Sequence, residues 1–282
     1  MNKLFAKDQI AETTRRHRGA MVIGRSRRRQ QAMFAIGALV LLSFGLVQAE
    51  VSPTRILAGL GRLGEFIVLM IPPDAGSSTR TYVEALGETL SIALLGTMLA
   101  ALAALPLAIL ASRNILPIWL VRVLMRRGFD SIRGVDTLIW ALIWIGVVGL
   151  GPFAGVLAIA TSDLGAFGKL FSETLETADQ RPVEGIRSTG GTALQELRYG
   201  ILPQVLPLIA GQILYYFESN TRSATIIGIV GAGGIGLHLS EQIRTLEWQK
   251  VSFIIVLVLV TVAVIDFISS KLRAAISGAR PV

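Results

Sequence analysis

Residues 184–203 read EGIRSTGGTALQELRYGILP. Apolar side chains recur through and beside this stretch at Val183, Ile186, Leu194, Leu197 and Ile201, close to a helical period. Glu184, Arg187, Glu196 and Arg198 take the polar positions between them, so the segment reads as amphipathic. Gly190-Gly191 divides it into two short helical pieces, and Arg181-Pro182 closes off an acidic turn carrying Glu173, Glu176 and Asp179. Helical pieces this short do not stand alone in water. They lie on a bilayer or fit a groove in a partner.

The flanks of this segment are lipid-like. Residues 201–217 form an uncharged stretch with Pro203 and Pro207 in its first turns, where a missing N–H costs little. Upstream, residues 137–162 are 26 uncharged residues broken by Gly149-Leu150-Gly151-Pro152, which predicts two spans joined by a tight turn, the second running on toward Leu170. Residues 90–111, at 22 residues, are long enough to cross ~30 Å of hydrocarbon. A stretch at 32–47 and another at 251–265 bring the expected count to about six transmembrane helices in an all-α integral membrane protein. The segment 56–71, rich in Gly and carrying Arg62 and Glu65, reads as re-entrant or interfacial. Val47-Gln48-Ala49 resembles a signal-peptidase site, but the basic run before it is long for a signal peptide, so an uncleaved first span is expected.

Composition agrees and narrows the chemistry. Of 282 residues, 52% are hydrophobic and 16% charged, against about 25% charged in soluble domains. The absence of Cys excludes disulfides, thiolate metal sites and cysteine nucleophiles, and with His17 and His238 the only histidines, no multi-histidine metal centre is expected. The net charge of +8 has a location. With six spans and the N-terminus inside, twenty-one cations fall on cytoplasmic pieces and six on external ones, as the positive-inside rule requires. Both termini are then cytoplasmic. The basic tail 1–31 reads as an anchor on anionic membrane lipid rather than a nucleic-acid arm. The expected divisions are this tail, a first span with an external segment over 32–82, a core over 83–270 with a cytoplasmic loop at 171–200, and a C-terminal tail over 271–282.

Glu184-Gly185-Ile186, Gly190 and Leu202-Pro203 follow the spacing Glu-Ala-Ala, three residues, Gly, nine residues, Ile-x-Leu-Pro. This resembles the cytoplasmic loop of permease subunits in bacterial ATP-binding-cassette importers, with Gly185, Ile186 and Gly200 as departures. Residues 195–207, Phe217-Glu218 with Arg222-Ser223-Ala224-Thr225, residues 230–236, residues 148–156 and residues 104–108 are similar to the phosphonate-importer permease family. The resemblance covers roughly 85–270; methionine-importer permeases share the Gly-rich region more loosely. It implies a type I importer permease fold in the bacterial inner membrane, two permease copies or homologues enclosing a path, with a homodimer the simplest arrangement, and an external substrate-binding protein. It also implies a cytoplasmic ATPase dimer that grips the loop through Glu184, Gly185, Ile186, Gly190, Leu202 and Pro203. Phosphonate, or a related phosphorus oxyanion, is the implied cargo. Phosphate, phosphite, methionine or another small solute is the alternative on the same machine, and an ion-coupled secondary transporter or channel the alternative of another class.

No Gly-x-x-x-x-Gly-Lys-[Ser/Thr] loop exists in the chain, so ATP and Mg are expected on the partner, with no cofactor bound here. Gly231-Ala232-Gly233-Gly234-Ile235-Gly236 satisfies the G-x-G-x-x-G dinucleotide fingerprint, with 225–230 a formal candidate for the preceding strand, but no βαβ unit follows. Gly231, Gly233 and Gly234 read instead as close packing or irregular backbone near the path. Glu218 and Arg222, four apart after the fifth span, either gate or line the path, with Ser223 beside them, or pair to fix a helix end. Asp163 either lies near the path or hydrogen-bonds locally. Asp266 is expected to pair at a boundary with Lys271, and His238 to be a surface residue on the external side.

Overall fold

The computed structural model describes residues 25–277, with side chains over 29–276; residues 1–24 of the expected 1–31 tail, His17 among them, and residues 278–282 of the expected 271–282 tail lie outside the described residues. The chain divides into two compact units, one through Glu65 and one from Phe66 onward. In the first, helix α1 (Arg25–Gln48) carries the 32–47 stretch. Helix α2 (Pro53–Leu69), 17 residues long, runs on into the second unit and falls outside the helices long and apolar enough to cross a bilayer.

Four long helices dominate the second unit: α3 (Thr79–Ala111), α6 (Pro152–Glu176), α8 (Leu202–Ile229) and α10 (Trp248–Ser277). Between them lie α4 (Trp119–Arg133), α5 (Thr137–Val148), α7 (Gln180–Ser188) and α9 (Ile235–Arg244). Helices α3 and α6 share the most extensive contact, because α3 presents Ala93, Ala100, Ala104 and Ala108 inward and small side chains let helix backbones approach closely. Phe167 and Phe171 of α6 stack at 4.9 Å and fill one end of the core with Leu175, Val205 and Ile209. Ile92, Ile159, Ile227 and Ala232 fill the middle, and Tyr82, Ala85, Ile235 and Ile254 the far end.

Several expectations change. The Gly-Pro break at 149–152 does separate two helices, but α5 has only 12 residues and reaches about 18 Å, short of a bilayer core. It joins α4 at an 87° bend, and the described residues hold five helices long and apolar enough to cross a bilayer, or six if this bent pair makes one broken span. Trp119, Leu120 and Leu124 expose an apolar face on α4. The fifth span does not stop at Phe217. Helix α8 continues to Ile229, so residues 225–229 are helical rather than a strand, and Glu218 and Arg222 lie inside the helix rather than at its end. A π-helical segment at Glu196–Ile201 precedes Pro203, and that wider turn absorbs the missing N–H and the ring within one continuous helical run over 193–229. Asp266 faces Arg273 at 4.0 Å, while Lys271 sits over the Phe267 ring.

Candidate functional site

The segment 179–204 folds as a closed loop at one end of the helical bundle. Asp179 starts α7, its carboxylate accepting the Arg181 N–H at 3.1 Å. The helix ends in a reciprocal cap: the Gly190 N–H donates to the Arg187 carbonyl and the Gly191 N–H to the Ile186 carbonyl. This cap places Gly190 at φ +83°, a conformation that side chains disfavour. Thr192 and Gln195 then form a capping box that starts the next helical turn. Arg187 and Glu196 close the two pieces with a bidentate pair at 2.9 and 2.8 Å. That hydrogen bond, then the guanidinium charge, holds the Glu196 carboxyl below the usual carboxylate range.

Gln204 fastens the base of the loop. Its amide accepts from the Asp179 N–H at 2.9 Å and donates to the Asp179 carbonyl at 3.1 Å and the Gly200 carbonyl at 2.6 Å. Val183 is buried against Gly200 and Ile201, and a Cβ at position 200 would press on Val183 at 3.0 Å. The departure from the family's Ile at 200 is therefore matched to Val183. Glu184, Gly185, Gly190 and Pro203 are exposed on the loop, with Ile186 and Leu202 half-buried. Leu194, one of the periodic apolar positions, is 73% exposed, and Tyr199 is exposed as well. The apolar period marked a helix but not which of its residues the fold would cover.

At mid-height the bundle holds a layer of polar groups. Asn220 of α8 donates to Asp163 of α6 and, at 2.8 Å, to Thr97 of α3. All three are buried, so three helices meet at one hydrogen-bonded knot. Glu218, two residues before Asn220 on α8, has only 10% of its side chain exposed and faces two cations: Arg222 at 3.4 Å and Arg273 of α10 at 3.3 Å. Arg222 and Arg273, on α8 and α10, meet at the same carboxylate. Glu218 lies about 24 Å along α8 from Leu202 and about 17 Å from Ile229. Ser223 is half-buried and donates to the Ser219 carbonyl at 3.4 Å. The sequence carried no signal for Arg273, because 55 residues separate it from Glu218.

The Gly-rich run lies beyond α8. The Gly231 carbonyl accepts from the Gly151 N–H at 3.0 Å, and the first N–H groups of α9 are satisfied from α3. Glu88 accepts from Gly234 at 3.1 Å and Thr89 from Ile235 at 2.8 Å. Gly234, at φ +72°, leaves no room for a Cβ against Thr89, and a Cβ on Gly233 would meet Pro152 and Glu88. These glycines let the loop enter between α3 and α6. His238 packs edge-on to Tyr82 and faces Glu241 at 3.6 Å.

A bundle of membrane-length helices with a capped two-piece loop at one end and a charged layer halfway along defines a transport permease. The chain belongs to the family of binding-protein-dependent transport system inner membrane components, whose pattern matches residues 96–277. It is 39% identical over 249 residues to a putative phosphite transport system permease protein of Stutzerimonas stutzeri, covering 88% of both chains. Over 118 residues it is 50% identical to a putative cryptic phosphonate transport system permease protein of Escherichia coli K12, covering 42% of this chain and 97% of that one. Its fold is similar to the permease in inward-facing structures of the MetNI methionine ABC transporter, with TM-score 0.61 at 19% identity over 69% of this chain and 95% of that one. The protein is thus the inner-membrane permease subunit of an ATP-binding-cassette importer, a transport subunit and not an enzyme.

Proposed function

We propose that this permease carries phosphonate or a closely related small phosphorus oxyanion inward. The observation that carries the reading is the 39% identity along nearly the whole chain to a phosphite-system permease. A phosphate-import permease protein of Mycolicibacterium smegmatis, 35% identical over 221 residues (78% of this chain, 41% of that one), supports the same cargo class. An extracytoplasmic binding protein delivers the anion, and ATP and Mg are held by a separate ATPase dimer. Two copies of this chain enclose the path, related by a two-fold axis, and both termini lie in the cytoplasm with the 179–204 loop.

In this reading Glu184, Gly185, Ile186, Gly190, Leu202 and Pro203 form the part of the loop that the ATPase grips, together with the uncovered Leu194 and Tyr199. ATP binding draws the two ATPase subunits together and moves the loops as rigid levers, because each is closed by the Arg187–Glu196 pair and the Gln204 clasp. Of the path candidates, Glu218, Arg222 and Ser223 remain suited to the path. Asp163 and Gly234 are better suited to holding helices together, since their neighbours Asn220 and Thr89 are buried, and Gly231 and Gly233 to the close approach of the loop to Leu150, Glu88 and Pro152. Uptake of labelled methylphosphonate, phosphite and phosphate, compared in cells with and without the gene, tests the cargo. Loss of one or more of these supports the reading; unchanged uptake of all three rejects it.

A further inference from the structure

We infer that α4 is an interfacial helix that binds anionic phospholipid, with its Leu120–Leu124 face in the acyl chains and its Arg122 and Arg127 side chains on headgroup phosphates. The leaflet concerned, the one on the ATPase side, rests on the orientation proposed above. Three observations lead to the inference.

The first is the level at which α4 sits. Beyond the buried Asp163, the charged positions of α6 are Lys169, Glu173 and Glu176, all in its last turns. Helix α4 packs against that end. Lys169 donates to Asp130 at 3.1 Å, Arg126 donates to Glu176 at 2.7 Å, and the Phe129 ring sits over Gly168. The helix therefore lies where α6 leaves the hydrocarbon, and the 87° bend after Arg133 turns the chain into the wholly apolar α5.

The second is how its surface is divided. Leu120 and Leu124, one turn apart, are exposed, with Ile118 and Trp119 exposed at the head of the helix. Ser131, seven residues after Leu124, turns its hydroxyl back to the Arg127 carbonyl at 2.9 Å, so that polar group is satisfied within the helix. Arg122, Arg126 and Arg133 form a separate row, spaced by four and seven residues. Water on all sides would leave the leucines uncovered, and full insertion would place four arginines in hydrocarbon. An interfacial position meets both demands, and Trp at one end is a residue favoured at that boundary.

The third is unbalanced charge. Against its four arginines α4 has one carboxylate, Asp130, which Lys169 takes; Glu176 takes Arg126. Among the described residues, Arg122 and Arg127 form no salt bridge, and Arg127 acts on Asp130 only at longer range. These two stand on opposite margins of the polar face, where the stems lie along apolar surface and the heads reach phosphate depth. A zwitterionic lipid would cover the leucines and leave both cations uncompensated. An anionic phospholipid meets both, with oxygens in the fork geometry that guanidinium prefers and a surface potential that attracts cations.

The test uses the complete importer, with its ATPase and binding protein, in phosphatidylcholine vesicles with and without phosphatidylglycerol, the ATPase facing outward. Native mass spectrometry of the re-extracted importer is expected to show phosphatidylglycerol retained in preference to phosphatidylcholine. Arg122→Gln and Arg127→Gln should each lower that preference about fivefold, and together about thirtyfold, the attraction of one and of two cations to an anionic surface. Arg127→Lys should keep most of it, and co-purification of each variant with the ATPase excludes misfolding as the cause. The emission lost in Trp119→Phe should be quenched by phosphatidylglycerol brominated in its acyl chains and delivered to the outer leaflet alone. Equal retention of the two lipids, or an unchanged preference in the double variant, overturns the lipid site. Failure of the brominated lipid to quench from either leaflet means that protein covers the face, and overturns it as well. If the lipid preference holds but quenching requires brominated lipid in the inner leaflet, the orientation reading is overturned and the lipid site stands.

Discussion

Asn220 shows how much one side chain can hold in a membrane bundle. Its amide bridges Asp163 and Thr97, joining α8 to α6 and α3 where no water competes. Asn220→Ala would leave a buried carboxyl without its donor, and a loss of about 1–3 kcal/mol is expected. Thermal unfolding of the detergent-solubilised protein measures it. Glu196 makes the contrasting case, because it is paired but reached by solvent. Its folded-state pKa is depressed, so its contribution is present above the unfolded value and fades only as pH falls through the lower folded value. The loop's protection from proteolysis should therefore be constant between about pH 8 and about pH 5. Glu196→Gln should raise cleavage within 180–201 even at neutral pH. Charge type and spacing made Glu218, Arg222 and Asp163 legible as candidates. Their partners were not legible, because Asn220 and Arg273 acquire meaning only when helices distant in sequence are placed side by side.

Helix α7 departs from its family at Gly185, and the structure shows that departure to be reversible. A Cβ at Gly185 would touch nothing within 4 Å, in an exposed helical position. Gly185→Ala is expected to stabilise α7 by about 0.5–1 kcal/mol, seen as slower amide exchange over 180–188. Gly190 is the opposite case. Its φ of +83° makes Gly190→Ala cost about 1–2 kcal/mol, and Gly190→Pro also removes the N–H that caps Arg187. Both should weaken co-purification with the ATPase, the proline more, and Glu184→Lys should weaken it through charge alone. Unimpaired co-purification of all three would remove the loop from the proposed interface. Hydropathy located α3, α6, α8 and α10 because long apolar runs leave little choice of solvent. It misjudged α5, because a run of uncharged residues does not show where a helix bends.

For the whole molecule, the exposed Arg222 halfway along α8 requires something other than lipid beside it. A second copy of this chain across a water-filled path meets that requirement, and the mass of the purified importer should correspond to two permease chains. One copy paired with a different permease would show an intermediate mass and a second polypeptide on a gel. Restoring the N–H donor with Asn220→Gln should leave that mass unchanged. Altering Arg222 should leave it unchanged also, since the cluster is closed within one chain by Glu218 and Arg273.

The amino-acid sequence by itself determined the solvent, the approximate number of spans and the two-piece form of the end loop. Hydrocarbon accepts only runs of about 20 apolar residues, and the caps at Asp179, Gly190 and Thr192 are local hydrogen bonds between residues a few positions apart. Tertiary packing decided the rest. It set the place of Glu218 within α8 rather than at its end, and the meeting of Arg222 with Arg273. It also buried the Gly-rich run between α3 and α6. Each of these depends on which helix faces come together, and that is fixed by the fit of small residues on α3 against α6, a property of two surfaces and not of either sequence segment alone.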